Sequence, residues 1–279
     1  MAVKIVTDST SDISLEQAER LGVEVLPLRV IFGDAEYIDG VTLTAAQFYE
    51  KLAQSDVLPH TSQITPMEFA RVFERMTADG DEVVGIFISS ELSGTFQSAR
   101  LAAAELPGIY LVDSRLVTFA LGTLVRIAAS LRDKGLPASE IFLELERIKS
   151  RVVLSAVVDD ISYLVKGGRL STVGGKVATA LNIKPLITMK DGLVVSSGAA
   201  RGIRKGHQAI VQRMVKDGVD PDYPMVFGHS NAPEGAQALR DLLAAHMDTG
   251  DIPLQLIGSV VGTHAGPGAS GVVYVRKQP

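Results

Sequence analysis

Along the first 160 residues, short aliphatic runs alternate with stretches of helical periodicity, and a turn rich in Ser, Thr, Asp or Gly separates each pair. That alternation predicts an α/β architecture. Residues 3–7 read as a strand, and Ser14 with Gln17 three positions on predicts a capping box opening a helix that closes at Gly22. Residues 23–32 read as one further strand. Thr44 with Gln47 predicts a second capping box, and Thr65-Pro66-Met67-Glu68 a third, with proline at the first helical position. Residues 83–88 and 109–112 are buried-strand runs, each feeding a hydroxyl-bearing turn and then a helix.

From about residue 152 the pattern changes. VVLSAVV predicts a strand, a helix is expected from Asp160, and Lys166-Gly167-Gly168-Arg169 breaks it. Residues 184–189 and 193–197 flank Lys190-Asp191-Gly192, the signal of a β-hairpin, and an antiparallel pair is expected around 262–271. No 20–50-residue repeat or low-complexity tract interrupts the chain. The expectation is an N-terminal Rossmann-like, mostly parallel α/β domain over 1–158 and a smaller C-terminal α+β domain over 159–279, packed tightly together.

Composition narrows the function classes. The 279 residues are 46% hydrophobic and 21% charged, an ordinary globular balance. No apolar run approaches the roughly 18 residues of a spanning helix, and the opening MAVKIVTDST is unlike a secretory signal, so a cytoplasmic protein without stable membrane insertion is expected. The absence of cysteine removes disulfides, thiolate nucleophiles and sulfur metal ligands together. The net charge of −5 conceals an asymmetry: residues 1–159 hold 14 Lys and Arg against 23 Asp and Glu, and residues 160–279 hold 13 against 9. With 5% aromatics, no tryptophan and no basic run of five, nucleic acid is not an expected partner.

Four segments of the first part place hydroxyls beside turns: Asp8-Ser9-Thr10-Ser11, Thr61-Ser62-Gln63, Ser89 to Thr95, and Asp113-Ser114. In an open α/β sheet such turns converge on the crevice where ligands bind, and helix starts there favour an anion. No Lys or Arg stands within Thr61 to Gln63 or Ser89 to Thr95, so a single carboxylate suits them better than a phosphate. Gly266-Pro267-Gly268-Ala269-Ser270-Gly271 spells GxGxxG but precedes an expected strand, not a helix, and Gly174-Gly175-Lys176-Val177 lacks the rest of a Walker A loop. No cofactor is expected. The five histidines show no ligand spacing, so no metal is expected either. An alternative in another class is a hydrolase or acyltransferase with Ser93 as nucleophile, His264 as base and Asp8 or Asp113 orienting it, although Ser93 is outside any GxSxG.

The series DSTSD, PHTSQ, ISSELSGTFQSA, VDS, KGGRLS, IKPLI with its DG hairpin and Arg201, and GTHAGPG, in this order, resembles the DegV family over nearly the whole chain. His60 ahead of TSQ is a local departure. The resemblance implies a bacterial, non-enzymatic carrier with one long-chain, palmitate-like fatty acid enclosed between two domains. It also implies a partner, the catalytic subunit of a fatty acid kinase serving phospholipid metabolism. Carried over by motif, the carboxylate contacts are Thr61 and Ser93, with Ser62 and Gly94 beside them. Arg169, His264 and Arg201 support phosphotransfer or docking at the mouth. The aliphatic residues 177–181 and 183–187 are candidates to line the tail.

Overall fold

Three capping boxes set the first three α-helix starts of the chain. In a computed structural model that describes residues 2–171, 182–250, 252 and 254–278, Ser14, Thr44 and Thr65 each accept from the amide three residues on, and Gln17, Gln47 and Glu68 reach back to the capping residue. The elements of this half are β1 (Val3–Asp8), a 3-10 turn (Ser9–Ser11), α1 (Leu15–Leu21), β2 (Val23–Leu26), β3 (Arg29–Phe32), β4 (Ala35–Ile38) and α2 (Ala45–Gln54). They continue through β5 (His60–Ser62), α3 (Pro66–Thr77), β6 (Glu82–Phe87), α4 (Thr95–Ala103), β7 (Ile109–Asp113), α5 (Thr118–Asp133) and α6 (Ala138–Ile148). Gly22 ends α1 in the left-handed conformation, as its lack of a Cβ allows.

Four parallel strands form one sheet in the order β2-β1-β6-β7. The run 23–32, read above as one strand, is two. Pro27 has no amide to donate, so β2 ends in the parallel sheet and β3 starts a separate antiparallel sheet, β4-β3-β5.

The remaining elements are β8 (Val152–Val157), α7 (Ser162–Lys166), β9 (Ile183–Lys190), β10 (Leu193–Arg201), α8 (Ile203–Asp217), β11 (Val226–His229), α9 (Pro233–Ala244), β12 (Leu254–Leu256), α10 (Ser259–Ala265) and β13 (Ser270–Val275). Six of their strands form a mixed sheet, β10-β9-β8-β13-β11-β12, with the Asp191-Gly192 turn joining β9 to β10. Residues 262–265, expected in an antiparallel pair, are helical. Only β13 of that stretch is extended, and its antiparallel partners are β8 and β11.

The layers follow from strand alternation. Val6, Val83 and Phe87 point from the parallel sheet toward α3 and α4, whereas Ile5, Val84 and Ile86 point toward α5. On β8, Val153 and Val157 meet α8 and α9, while Leu154 and Ala156 turn to α5. Helix α5 therefore lies between two sheets, which explains why it is apolar on nearly all sides: Phe119, Ala120, Leu121, Leu124, Val125 and Ala128 are all buried.

Candidate functional site

Between α5, α10 and the inner face of the six-stranded sheet lies a cavity enclosing about 1080 Å³ of empty space, mouth included. Leu154, Ala156 and Val158 supply its floor from β8 and the residue after it, with Ile187 and Val194 from the adjoining strands, and Val260 and Val261 add apolar surface from α10. Glycine lets the layers approach: Phe119 lies across Gly228, where an added Cβ would sit 2.2 Å from the ring.

Polar side chains gather where β5, the start of α4, the end of α7 and α10 meet. Thr61 Oγ1 is 3.0 Å from His264 Nε2. Ser93 Oγ accepts from the Thr95 amide at 3.2 Å and lies 2.9 Å from Thr95 Oγ1. Gly94 precedes α4, and the carboxamide of Gln63 sits over its Cα, with Gln63 Nε2 donating to Ser98 Oγ at 3.0 Å. A Cβ at position 94 would lie 2.0 Å from Gln63 Oε1, so the contact requires glycine. Arg169 donates from Nη1 to the Gly167 carbonyl at 2.6 Å and from Nε to the Leu92 carbonyl at 3.3 Å. Among the described residues no carboxylate pairs with its guanidinium.

Burial pushes the His264 imidazole down to about 4, and the Arg169 charge beside it acts in the same direction. The ring is therefore neutral at neutral pH. Its Nδ1 is buried against Gly167 and has no hydrogen-bond partner among the described residues.

The fold thus brings Thr61, Ser62, Ser93, Gly94, Arg169 and His264 to one cavity wall. Arg201 is elsewhere, on the exposed end of β10, seven residues beyond Val194 and paired with Ile183. Of the four hydroxyl segments, Asp113-Ser114 does not reach the wall: Asp113 binds Ser90 and Arg115, and Ser114 caps its own turn. Ile187 is the cavity residue of the 183–187 run, and Leu186 faces α8. Residues 174–181, which include the Walker-like glycines, Lys176 and the other tail candidates, lie outside the described residues.

The serine hydrolase arrangement is not formed. Ser93 is hydrogen-bonded to Thr95 and His264 to Thr61, while Asp8 is taken up by Thr10 and the Ile88 amide. Among the described residues no carboxylate reaches His264 Nδ1. The role of Gln63, the close fit of Gly167 and the β8 floor were not foreseen. The floor had a signal in the alternation of VVLSAVV, but apolar residues on both faces of that strand concealed which face was lined.

The model of the family described as "Uncharacterised protein, DegV family" matches residues 2–277. The chain belongs to the DegV family. A DegV domain-containing protein of Deinococcus radiodurans is 38% identical over 277 residues, covering 98% of each chain. Among solved structures, a fatty acid-binding DegV family protein from Thermus thermophilus superposes with a TM-score of 0.91 at 33% identity, over 99% of this chain and 100% of that one. A stearic acid-binding protein from Eubacterium ventriosum superposes at 0.88 with 27% identity, over 99% of each. Among the described residues, no helix is long and apolar enough to cross a membrane.

Proposed function

We propose that this DegV chain binds one long-chain fatty acid, its tail in the apolar cavity and its carboxylate at Thr61 and Ser93, with Ser62 and Gly94 adjoining. The observation that carries the reading is the Arg169 guanidinium, without a carboxylate of its own among the described residues, set beside two hydroxyls at the rim of an apolar cavity. A buried acceptor left unpaired costs less than a buried donor, so the neutral His264 donates from Nε2 to Thr61 and leaves its Nδ1 lone pair bare. The Thr61 proton is then free for the ligand. At Ser93 the Thr95 amide donates to Oγ, and when the ligand's carboxylate accepts the Ser93 proton the Thr95 hydroxyl, 2.9 Å away, is placed to donate to Ser93 in turn.

The tail supplies most of the affinity: roughly 0.8 kcal/mol per buried methylene gives on the order of 10 kcal/mol gross for sixteen carbons, before association costs. The head group sets orientation. Organic extraction of the purified protein followed by mass spectrometry tests the reading. A C14–C18 acid is expected, and extracts without one, together with no uptake of added stearic acid, would sink it.

The finer reading assigns residues 1–158 and 159–279 to two domains that close on the ligand and present its carboxylate to a separate kinase subunit. That subunit holds the ATP: a carboxylate oxygen attacks the terminal phosphorus, the bond to ADP breaks, and acyl phosphate leaves with the carrier. Arg169 offsets the added charge, and Arg201, on its exposed edge, belongs to the docking face. Hydroxylamine trapping with a purified fatty acid kinase subunit and ATP separates the two levels. Binding without any trapped acyl phosphate would refute the handover and leave the carrier reading standing.

A further inference from the structure

Helix α10 carries His264 into the cavity, and its first amides are held by two side chains from far away in sequence. Asp12 Oδ1 accepts from the Gly258 amide at 2.9 Å, and Asp39 Oδ1 accepts from the Ser259 amide at 3.2 Å and from the Ser259 hydroxyl. Asp12 is itself fixed. Its second oxygen accepts from the Thr118 hydroxyl, and its backbone carbonyl accepts from the Gln255 side chain. Asp12 and Thr118 both have left-handed backbone, at φ 54° and 56°; an aspartate adopts it readily, but in the β-branched Thr118 it persists only where surroundings enforce it.

These carboxylates are costly for a helix cap. Among the described residues neither forms an ion pair, and burial raises the pKa of each. A serine or asparagine at the capping position would satisfy one amide without burying an ionisable group. What α10 gains is placement. Gly258 leaves no room to slide, since a Cβ there would lie 2.9 Å from Asp12 Oδ1. Downstream, Gly262 rests on the rings of Phe48 and Tyr49, and Gly266 on Tyr163. Six residues after Gly258, His264 Nε2 meets Thr61.

We infer that Asp12 and Asp39 are positioning residues of the head-group site, setting α10 so that the His264 imidazole supports Thr61. This rests on the reading that Thr61 holds a carboxylate. The test uses the full chain, 15N-labelled at histidine, and measures the His264 ring-nitrogen shifts together with the ratio of affinities for stearic acid and stearyl alcohol. Asp39→Ala is expected to move the His264 shifts and to cut the acid-to-alcohol ratio about tenfold, while Asp39→Asn, which keeps an acceptor for Ser259, restores both. Ser259→Ala removes one hydroxyl from Asp39 and is expected to move both readouts part of the way, so it decides the matter if Asp39→Ala does not fold. Folded variants with wild-type shifts and ratio would overturn the inference. A wild-type protein that binds acid and alcohol equally would instead overturn the carboxylate reading on which it stands.

Discussion

Replacing Gly167 by alanine adds one methyl group at a residue that does not line the cavity, yet it should weaken fatty acid binding. The backbone there is ordinary, with φ −73°, so alanine brings no conformational strain. The new Cβ would lie 2.5 Å from His264 Nδ1 and 3.0 Å from the Tyr163 carbonyl, whereas ordinary contact begins at 3.4 Å. The imidazole must therefore shift by about 0.9 Å. Its bond to Thr61 is 3.0 Å, and a displacement of that size in either sense along the bond removes a normal hydrogen bond. Loss of one neutral hydrogen bond is worth about 0.5–1.5 kcal/mol, or roughly a two- to twelvefold loss of affinity. Calorimetric titration of delipidated Gly167→Ala with stearic acid, beside stearyl alcohol as a control lacking the carboxylate, measures it. The alcohol should bind as in the wild type. If ring-nitrogen shifts report a displaced His264 while acid affinity is unchanged, the imidazole does not support the head group and the reasoning fails.

Ser93→Ala should lower stearic acid affinity by about ten- to a hundredfold, since a bond to a charged group is worth about 1.5–3 kcal/mol while the tail contribution persists; titration against the alcohol control checks it, and an unchanged acid affinity would place the carboxylate elsewhere. Gly228→Ala should cost about 1–3 kcal/mol in urea unfolding, because its Cβ would fall 2.2 Å from Phe119 Cε1 and force that ring toward the cavity; a stability within 0.5 kcal/mol of wild type would contradict the close packing. Asp12 is raised by burial to about 8 from 3.8, so the native state binds its proton more tightly and stability should fall as pH rises from about 4 to about 8. His264, lowered to about 4 from 6.5, contributes fully above pH 6.5, so a fall between pH 6.5 and 8 belongs to the buried carboxyls, Asp12 together with Asp39, whose pKa burial also raises. Asp12→Asn should make that slope shallower, as thermal melts will show; a wild-type melting temperature that climbs over this window would refute the assignment.

The helix starts were legible because a capping box is a local device whose two halves are three residues apart. Ser14, Thr44 and Thr65 needed no tertiary information. Residues 23–32 failed for the opposite reason: aliphatic periodicity runs on through Pro27, and only the missing amide marks the change of sheet. Residues 262–265 are short, glycine-containing and β-branched nearby, and their helix depends on Asp12 and Asp39, some 220 residues or more upstream. At the cavity, the segments of Thr61 and Ser93 were legible as hydroxyl-bearing turns without a cation, whereas the head-group contacts within them, and Arg169 and His264 beside them, were reached through the motifs of the DegV resemblance. Gln63 over Gly94 and Gly167 against His264 are contacts between distant segments, which no local pattern encodes.

The position of β13 has a consequence for how the protein comes into being. This strand, residues 270–275, inserts between β8 and β11, pairing Ser270 with Val157 and Val275 with Val152. Until it arrives, β8 and its apolar inner face have an open edge, and the cavity lacks the wall that Ala269 and Gly271 provide. Pairings across more than a hundred residues form late and slowly, since loop closure precedes any return in contacts. The cavity that would hold an acyl chain is therefore complete only with β13 in place, and this strand covers on β8 the kind of open aliphatic edge that invites pairing with other chains.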